Sequence, residues 1–273
     1  MSGFDLDKYK KISDIDVSLD FSNDPECRFW LPNKNVNSER LDPDTSSRFL
    51  RRYHYLLWNN KKISPNRNER FGLIEATDMN DYLVYDKKFR FGADCIINLY
   101  THHNNEFIRN ILKNVRKQMG DSYKIRENEY IHKSYTIGAN LIFPKHRPSI
   151  NTVRGNIYGI ADRIDLTMEC IRRWYENRND YTPLSYILNE YDAWFFEKFE
   201  TFENYIDFFL MQDLVSRGAD GKYNINFFLK RNAQGDLHGY PENENEWFEL
   251  YDNELSFLDN RNKTIANYIS EII

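Results

Sequence analysis

Cysteine is scarce in this chain: Cys27, Cys95 and Cys170 stand alone, without a CxxC spacing. An odd, scattered set supports neither a disulfide framework nor a cysteine zinc site, so the three read as buried free thiols. Long apolar runs are missing too. No window approaches the roughly 20 apolar residues that a membrane span needs, and no apolar segment of the signal-peptide kind follows the charged start MSGFDLDKYKK. The expectation is a cytoplasmic protein with no membrane partner. Gly/Ser- and Pro-rich linkers, solenoid-period repeats and single-sign charged tails are also absent, which leaves one domain over 1–273. A net charge of −5 excludes attraction of nucleic acid to the surface as a whole, since phosphate binding needs clustered Lys and Arg. There is no Walker A loop, GxGxxG, HExxH, GxSxG or kinase signature set. That removes most common nucleotide-dependent enzymes and indicates no organic cofactor.

Aromatic side chains are plentiful: 19 Phe, 19 Tyr and 5 Trp in 273 residues. At 41% hydrophobic content the chain buries a substantial core, and rings supply much of its apolar area. Residues 1–45, rich in Asp, Asn and Pro, read as an extended lead-in that packs through Phe4, Phe29, Trp30 and Leu31. A helix is predicted to begin near Asp44 to Ser47 and to end before Asn59, because Phe49, Tyr53, Leu56 and Leu57 recur at helical spacing. FGLIEA, DYLVYD and CIINLY read as a β-meander. Asn104 or Asn105 then caps a helix with an apolar stripe of Phe107, Ile108, Ile111, Leu112, Val115 and Met119, ending at Gly120. YIHKSYTIGANLIFP reads as a strand region. After a loop at 151–159, Ile160, Ile164, Met168, Ile171 and Trp174 mark an amphipathic helix. Phe-rich helical segments follow, then a strand at KYNINFFL and a C-terminal helix from Glu244. Strands followed by helices predict an α+β fold: a mainly antiparallel sheet in the N-terminal half (46–150, mixed) packed against a helix-rich C-terminal half (151–273).

The segment NTVRGNIYGIADRIDLTMECIRRWY carries the candidate chemistry. On a helix, Asp162, Asp165 and Glu169 lie at i, i+3 and i+7 and face one way. Three such carboxylates can hold Mg²⁺ or Mn²⁺ for phosphoryl chemistry, while Arg163, Arg172 and Arg173 nearby offer the competing arrangement of an ion-pair network. Asn151, Arg154 and Arg172 are candidate substrate-binding residues, Arg154 because a guanidinium matches phosphate or carboxylate bidentately. His132, alternating with Ser134 and Thr136 on the predicted strand, is the candidate proton carrier beside Asp165 and Glu169. His54 reads as sharing a polar helix face with Arg51, and His102 and His103 as surface. Arg109, Lys113, Arg116 and Lys117 form a basic stripe opposite the apolar stripe of their helix, a candidate contact for nucleic acid or nucleotide. The ring-rich stretch from Trp194 to Phe209 reads as core, because a base-stacking platform needs rings exposed beside basic residues and here Glu197, Glu200, Glu203 and Asp207 are interleaved.

Together RRYHYLLW, RGNIYGIADRIDLTMECIRR, TPLSYIL and FENYIDFFLMQDLV resemble a family of uncharacterised bacterial proteins, catalogued as a domain of unknown function, over roughly residues 48–230. The resemblance implies no reaction and gives no residue a catalytic role. Two functions follow from the residues. One is an enzyme acting on a phosphate-containing substrate, nucleic acid among the options, with a divalent cation; a role in phage defence would suit it. The other is a noncatalytic binding or regulatory module whose carboxylate–arginine cluster is a structural network.

Overall fold

A buried carboxylate starts the first long helix. Asp24 Oδ2 accepts from the Ser47 hydroxyl at 2.9 Å and from the Phe49 amide at 3.0 Å, while Ser47 Oγ accepts from the Leu50 amide at 3.2 Å. These bonds satisfy amides that a helix N-terminus leaves without intrahelical partners. In the computed structural model, which describes residues 6–24, 43–75, 82–100, 106–155, 162–229 and 239–273, the short helix α1 (Pro43–Ser46) leads into α2 (Arg48–Asn60). The expected stripe Phe49, Tyr53, Leu56 and Leu57 is buried, and the helix continues through Asn60. The lead-in's predicted anchors Phe4, Phe29, Trp30 and Leu31, along with Cys27, His102, His103, Asn104, Asn105, Gly159 and Ile160, lie outside the described residues.

Four antiparallel strands follow in the order β1 (Ile74–Glu75), β2 (Leu83–Tyr85), β3 (Phe89–Cys95) and β4 (Asn140–Pro144). The register sets Gly92 against Phe143 and Asp94 against Leu141. Two expectations need correcting here. The third strand is FRFGADC, not CIINLY: beyond Cys95 the chain leaves the sheet, Ile96 donating its amide to Ala139 and accepting from Ile164. The second correction concerns YIHKSYTIGANLIFP, which is mostly not strand. Its first half closes α4 (Ser122–Ser134), joined by a turn to α3 (Glu106–Met119), and only Asn140–Pro144 is extended. The helix formers of KIRENE, upstream of the β-prone residues, carry α4 through them.

The C-terminal half comprises α5 (Ile150–Val153), α6 (Ile164–Glu176), α7 (Ser185–Glu190), α8 (Ala193–Phe196), α9 (Phe202–Phe209) and the 28-residue α10 (Glu244–Glu271). A two-stranded ribbon, β5 (Val215–Arg217) with β6 (Tyr223–Ile225), separates α9 from α10; β5 begins at Val215, the last residue of the segment YIDFFLMQDLV expected to be helical. The molecule is a single-domain α+β fold, with its sheet in the N-terminal half and helices in the C-terminal half. Rings join the two. Trp58 of α2 has its centroid 4.7 Å from Phe71, 5.5 Å from Phe91 of β3 and 5.0 Å from Phe208 of α9. His54, expected on a polar face, is buried in this core with Nδ1 2.9 Å from Tyr82 Oη, and burial lowers its pKa to about 3. Arg51 is buried as well.

Candidate functional site: a buried carboxylate–arginine centre

Asp165 stands in the first turn of α6, where the helix dipole and free amides favour a carboxylate. Arg163, one residue before the helix, turns back onto it. Nε donates to Oδ1 at 2.7 Å and Nη2 to Oδ2 at 2.5 Å, a bidentate pair in which both side chains are excluded from solvent. Asp165 also accepts the Leu166 amide at 2.9 Å and the Phe228 amide at 2.8 Å, and Arg163 Nη1 donates to the Gly239 carbonyl at 3.0 Å. The pair thus ties α6 to the segment after β6 and to the approach of α10.

A second pair lies at the end of β3. Arg154, just past α5 and 0% exposed, donates from Nη2 to Asp94 Oδ2 at 2.5 Å and to the Cys95 carbonyl. Asp162 Oδ1 is 3.7 Å away, and the guanidinium lies 5.1 Å from the centroid of Phe143. Burial alone lowers an arginine pKa, but here Asp94 and Asp162 outweigh it and hold Arg154 above its ordinary value.

On the far side of Arg163 is Glu254 of α10, fully buried. It accepts the Tyr130 hydroxyl at 2.5 Å, and burial raises its pKa to about 8 against the lowering effects of Tyr130 and Arg163. Trp247 Nε1, Tyr100 Oη and Glu254 Oε1 are buried in the same region without a hydrogen-bond partner among the described residues. The Tyr100 ring touches those of Trp247 and Tyr130 at 5.5 and 5.1 Å.

The sequence-predicted residues are therefore only partly brought together. Asp162 is not on the helix that was expected to carry it: it precedes α6 with φ +60° and turns toward Arg154. Glu169 is on α6, but Arg172 engages both its oxygens at 2.9 and 3.0 Å, and Arg173 adds a bond at 2.7 Å. Burial tends to raise its pKa, yet the two guanidiniums hold it below the ordinary value. Arg172 also pairs with Glu176 at 2.7 Å. Asn151 lies near β3, its Oδ1 buried without a hydrogen-bond partner among the described residues. His132 is on a helix, not a strand, 57% exposed with Nδ1 3.1 Å from Asp20 Oδ2. It is not part of this centre.

This donor set does not suit Mg²⁺ or Mn²⁺. Asp165 is occupied by the Arg163 guanidinium and two backbone amides, and Glu169 by two guanidiniums, whose charge opposes a further cation. Among the described residues, no three His, Cys, Asp or Glu side chains are grouped to hold a metal ion. Sequence reasoning missed Asp94, Glu254 and Tyr130. Glu254 had a readable signal: it falls on the apolar stripe of the C-terminal helix with Trp247, Tyr251 and Leu258, the place where a charge must find a partner.

The fold and its centre define an α+β protein held by internal ion pairs, with no helix among the described residues long and apolar enough to cross a membrane. Residues 15–265 match the family of unknown function DUF6994, and the chain belongs to that family. No curated protein and no solved structure gives a match.

Proposed function

We propose that this chain is a noncatalytic binding module that takes nucleic acid on the outer face of α3, with the buried carboxylate–arginine centre as its structural support. The observation that carries the reading is the division of α3. Ile108, Ile111 and Val115 are buried, while Arg109, Lys113, Arg116 and Lys117 are all exposed on the other side. The ion pairs next to this face are made by Lys124 and Arg126 of α4. Among the described residues none of the four α3 cations has a carboxylate partner. Arg116 lies 4.8 Å over the ring of Tyr123, which orders it on the surface. Four cations on one helix face can replace condensed counterions along a phosphate backbone even though the whole molecule is acidic. Metal-assisted phosphoryl chemistry draws no such support, because Asp165 and Glu169, the carboxylates it would use, are engaged by arginine.

The test is fluorescence anisotropy with labelled single- and double-stranded oligonucleotides across a salt series. Four phosphate contacts give a slope of log affinity against log salt of about −3 to −4, and each neutralising substitution (Arg109→Gln, Lys113→Gln, Arg116→Gln, Lys117→Gln) reduces the slope by about one. No binding at low salt, or a quadruple variant that binds as tightly as the parent, overturns the proposal.

A further inference from the structure

The solvent side of α3 is wider than its basic row. Only Ile108, Ile111 and Val115 are fully buried, with Leu112 and Met119 half-buried beside them, and the rest of the helix faces water. At about 100° of rotation per residue the four cations occupy an arc of about 100°. The adjoining arc, about 80° wide by the same geometry, carries Asn110, Asn114 and Gln118, each four residues from the next and all exposed. Among the described residues none of these three amides makes a hydrogen bond. Asparagine in a helix interior costs helix propensity, and here no intramolecular bond offsets it. Phe107 stands in the same arc, 46% exposed, with its ring 6.0 Å from that of Tyr240.

Carboxylates around this face lie at its ends. Glu106 is in the first turn of α3, where the helix dipole favours it, Asp121 follows the last turn, and Glu127 is engaged by Lys124 at 2.5 Å. We propose that α3 enters the major groove of duplex DNA and reads adenine through its amide row, an inference that rests on the nucleic-acid reading above. The major groove admits an α-helix, and an Asn or Gln amide matches adenine with one donor and one acceptor, to N7 and from N6. With the amides turned to the base edges, the adjoining cations face the phosphates of one strand, which position the helix without reading sequence. Phe107, in the amide arc, meets the methyl group of the paired or neighbouring thymine. The same arrangement disfavours the other nucleic acids. The major groove of duplex RNA is too deep and narrow for side chains to read. A single strand is held by several rings on which bases stack beside the cations, whereas Phe107 is the one ring that α3 carries.

The experiment is a competition at fixed salt between labelled duplexes of equal length, one with an A·T core and one with a G·C core, bound to the full chain and read by anisotropy. The A·T duplex should bind at least about fivefold more tightly, the low end for one bidentate amide contact. Replacing its adenines by 7-deazaadenine, which pairs normally but lacks the N7 acceptor, should erase that preference. The triple variant Asn110→Ala, Asn114→Ala and Gln118→Ala, on exposed positions where alanine is the better helix former, should bring the A·T duplex down to the affinity of the G·C one. Salt-dependent binding with no A·T preference overturns this inference and leaves the basic face standing. So does a preference that survives 7-deazaadenine or the triple variant, since it is then read from DNA shape. Tighter binding of a single strand or of duplex RNA overturns it as well. No salt-dependent binding to any duplex overturns both readings together.

Discussion

Replacing Asp165 with asparagine removes one charge from a pair that has no water to fall back on. The carboxylate accepts two bonds from Arg163 and two from backbone amides, so all four of its close donors need an acceptor. Asparagine offers one oxygen and turns an NH₂ group toward donors on the other side. Breaking a buried ion pair from one side costs about 3–5 kcal/mol, because the surviving guanidinium stays buried without its counterion. A domain's whole stability is about 5–15 kcal/mol, so the variant should remain folded but fragile. At about 2–4 °C per kcal/mol for a large domain, the midpoint falls by about 6–20 °C. Urea unfolding followed by circular dichroism gives the number directly. Arg163→Met and the double variant complete the cycle, and the double should be less damaging than the sum of the singles by at least about 1.5 kcal/mol. A loss under about 1 kcal/mol for Asp165→Asn would show that the pair is not the support described above.

Acidity should matter in the opposite direction from an ordinary surface carboxylate. Glu254 is raised from 4.5 to about 8 by burial, so its folded-state proton contributes stability that is full below the unfolded pKa and is lost as pH rises through about 8. Asp192, buried and raised from 3.8 to about 7 with its Oδ1 3.1 Å from His146 Nε2, adds a loss of the same sign. Thermal midpoints should therefore decline from about pH 5 to pH 9, and Glu254→Gln should flatten that decline; an unchanged slope in the variant refutes the assignment. Trp58→Ala should cost about 3–5 kcal/mol in denaturant unfolding, since it opens the ring cluster between sheet and helices. Gly138→Ala places a methyl 2.6 Å from Asn262 Oδ1, which now accepts the Gly138 amide at 2.7 Å; a loss of about 1–3 kcal/mol is expected, non-additive with Asn262→Ala.

The sequence revealed elements wherever local pattern and burial agreed. The apolar stripes of α2 and α3 are plain at helical spacing, and so is the α10 segment, because each packs one face on the core. The α4 region misled because its β-prone residues sit at the end of a helix whose formers lie upstream, and helix propagation overrides the local preference of its last turn. The candidate site was half legible. Arg163 and Asp165 are near neighbours in sequence, so their meeting was within reach of a local argument. Asp94 with Arg154 and Tyr130 with Glu254 are separated by 60 and 124 positions, and no periodicity connects such pairs. Asp162 was assigned to the helix by spacing alone, whereas its positive φ places it outside.

Long separation has a further consequence through α10. Arg261 donates to the Gly138 and Asn140 carbonyls beside β4 and to the Phe209 carbonyl at the end of α9, while Lys133 reaches Asp259 at 2.6 Å. On the ribosome, α10 is made after every element it fastens. The nascent chain must carry unclosed sheet and helix ends through most of its synthesis, with aromatic surface open to misassociation. Production of this protein in cells should therefore be limited by how well the growing chain is shielded until residues 244–271 emerge.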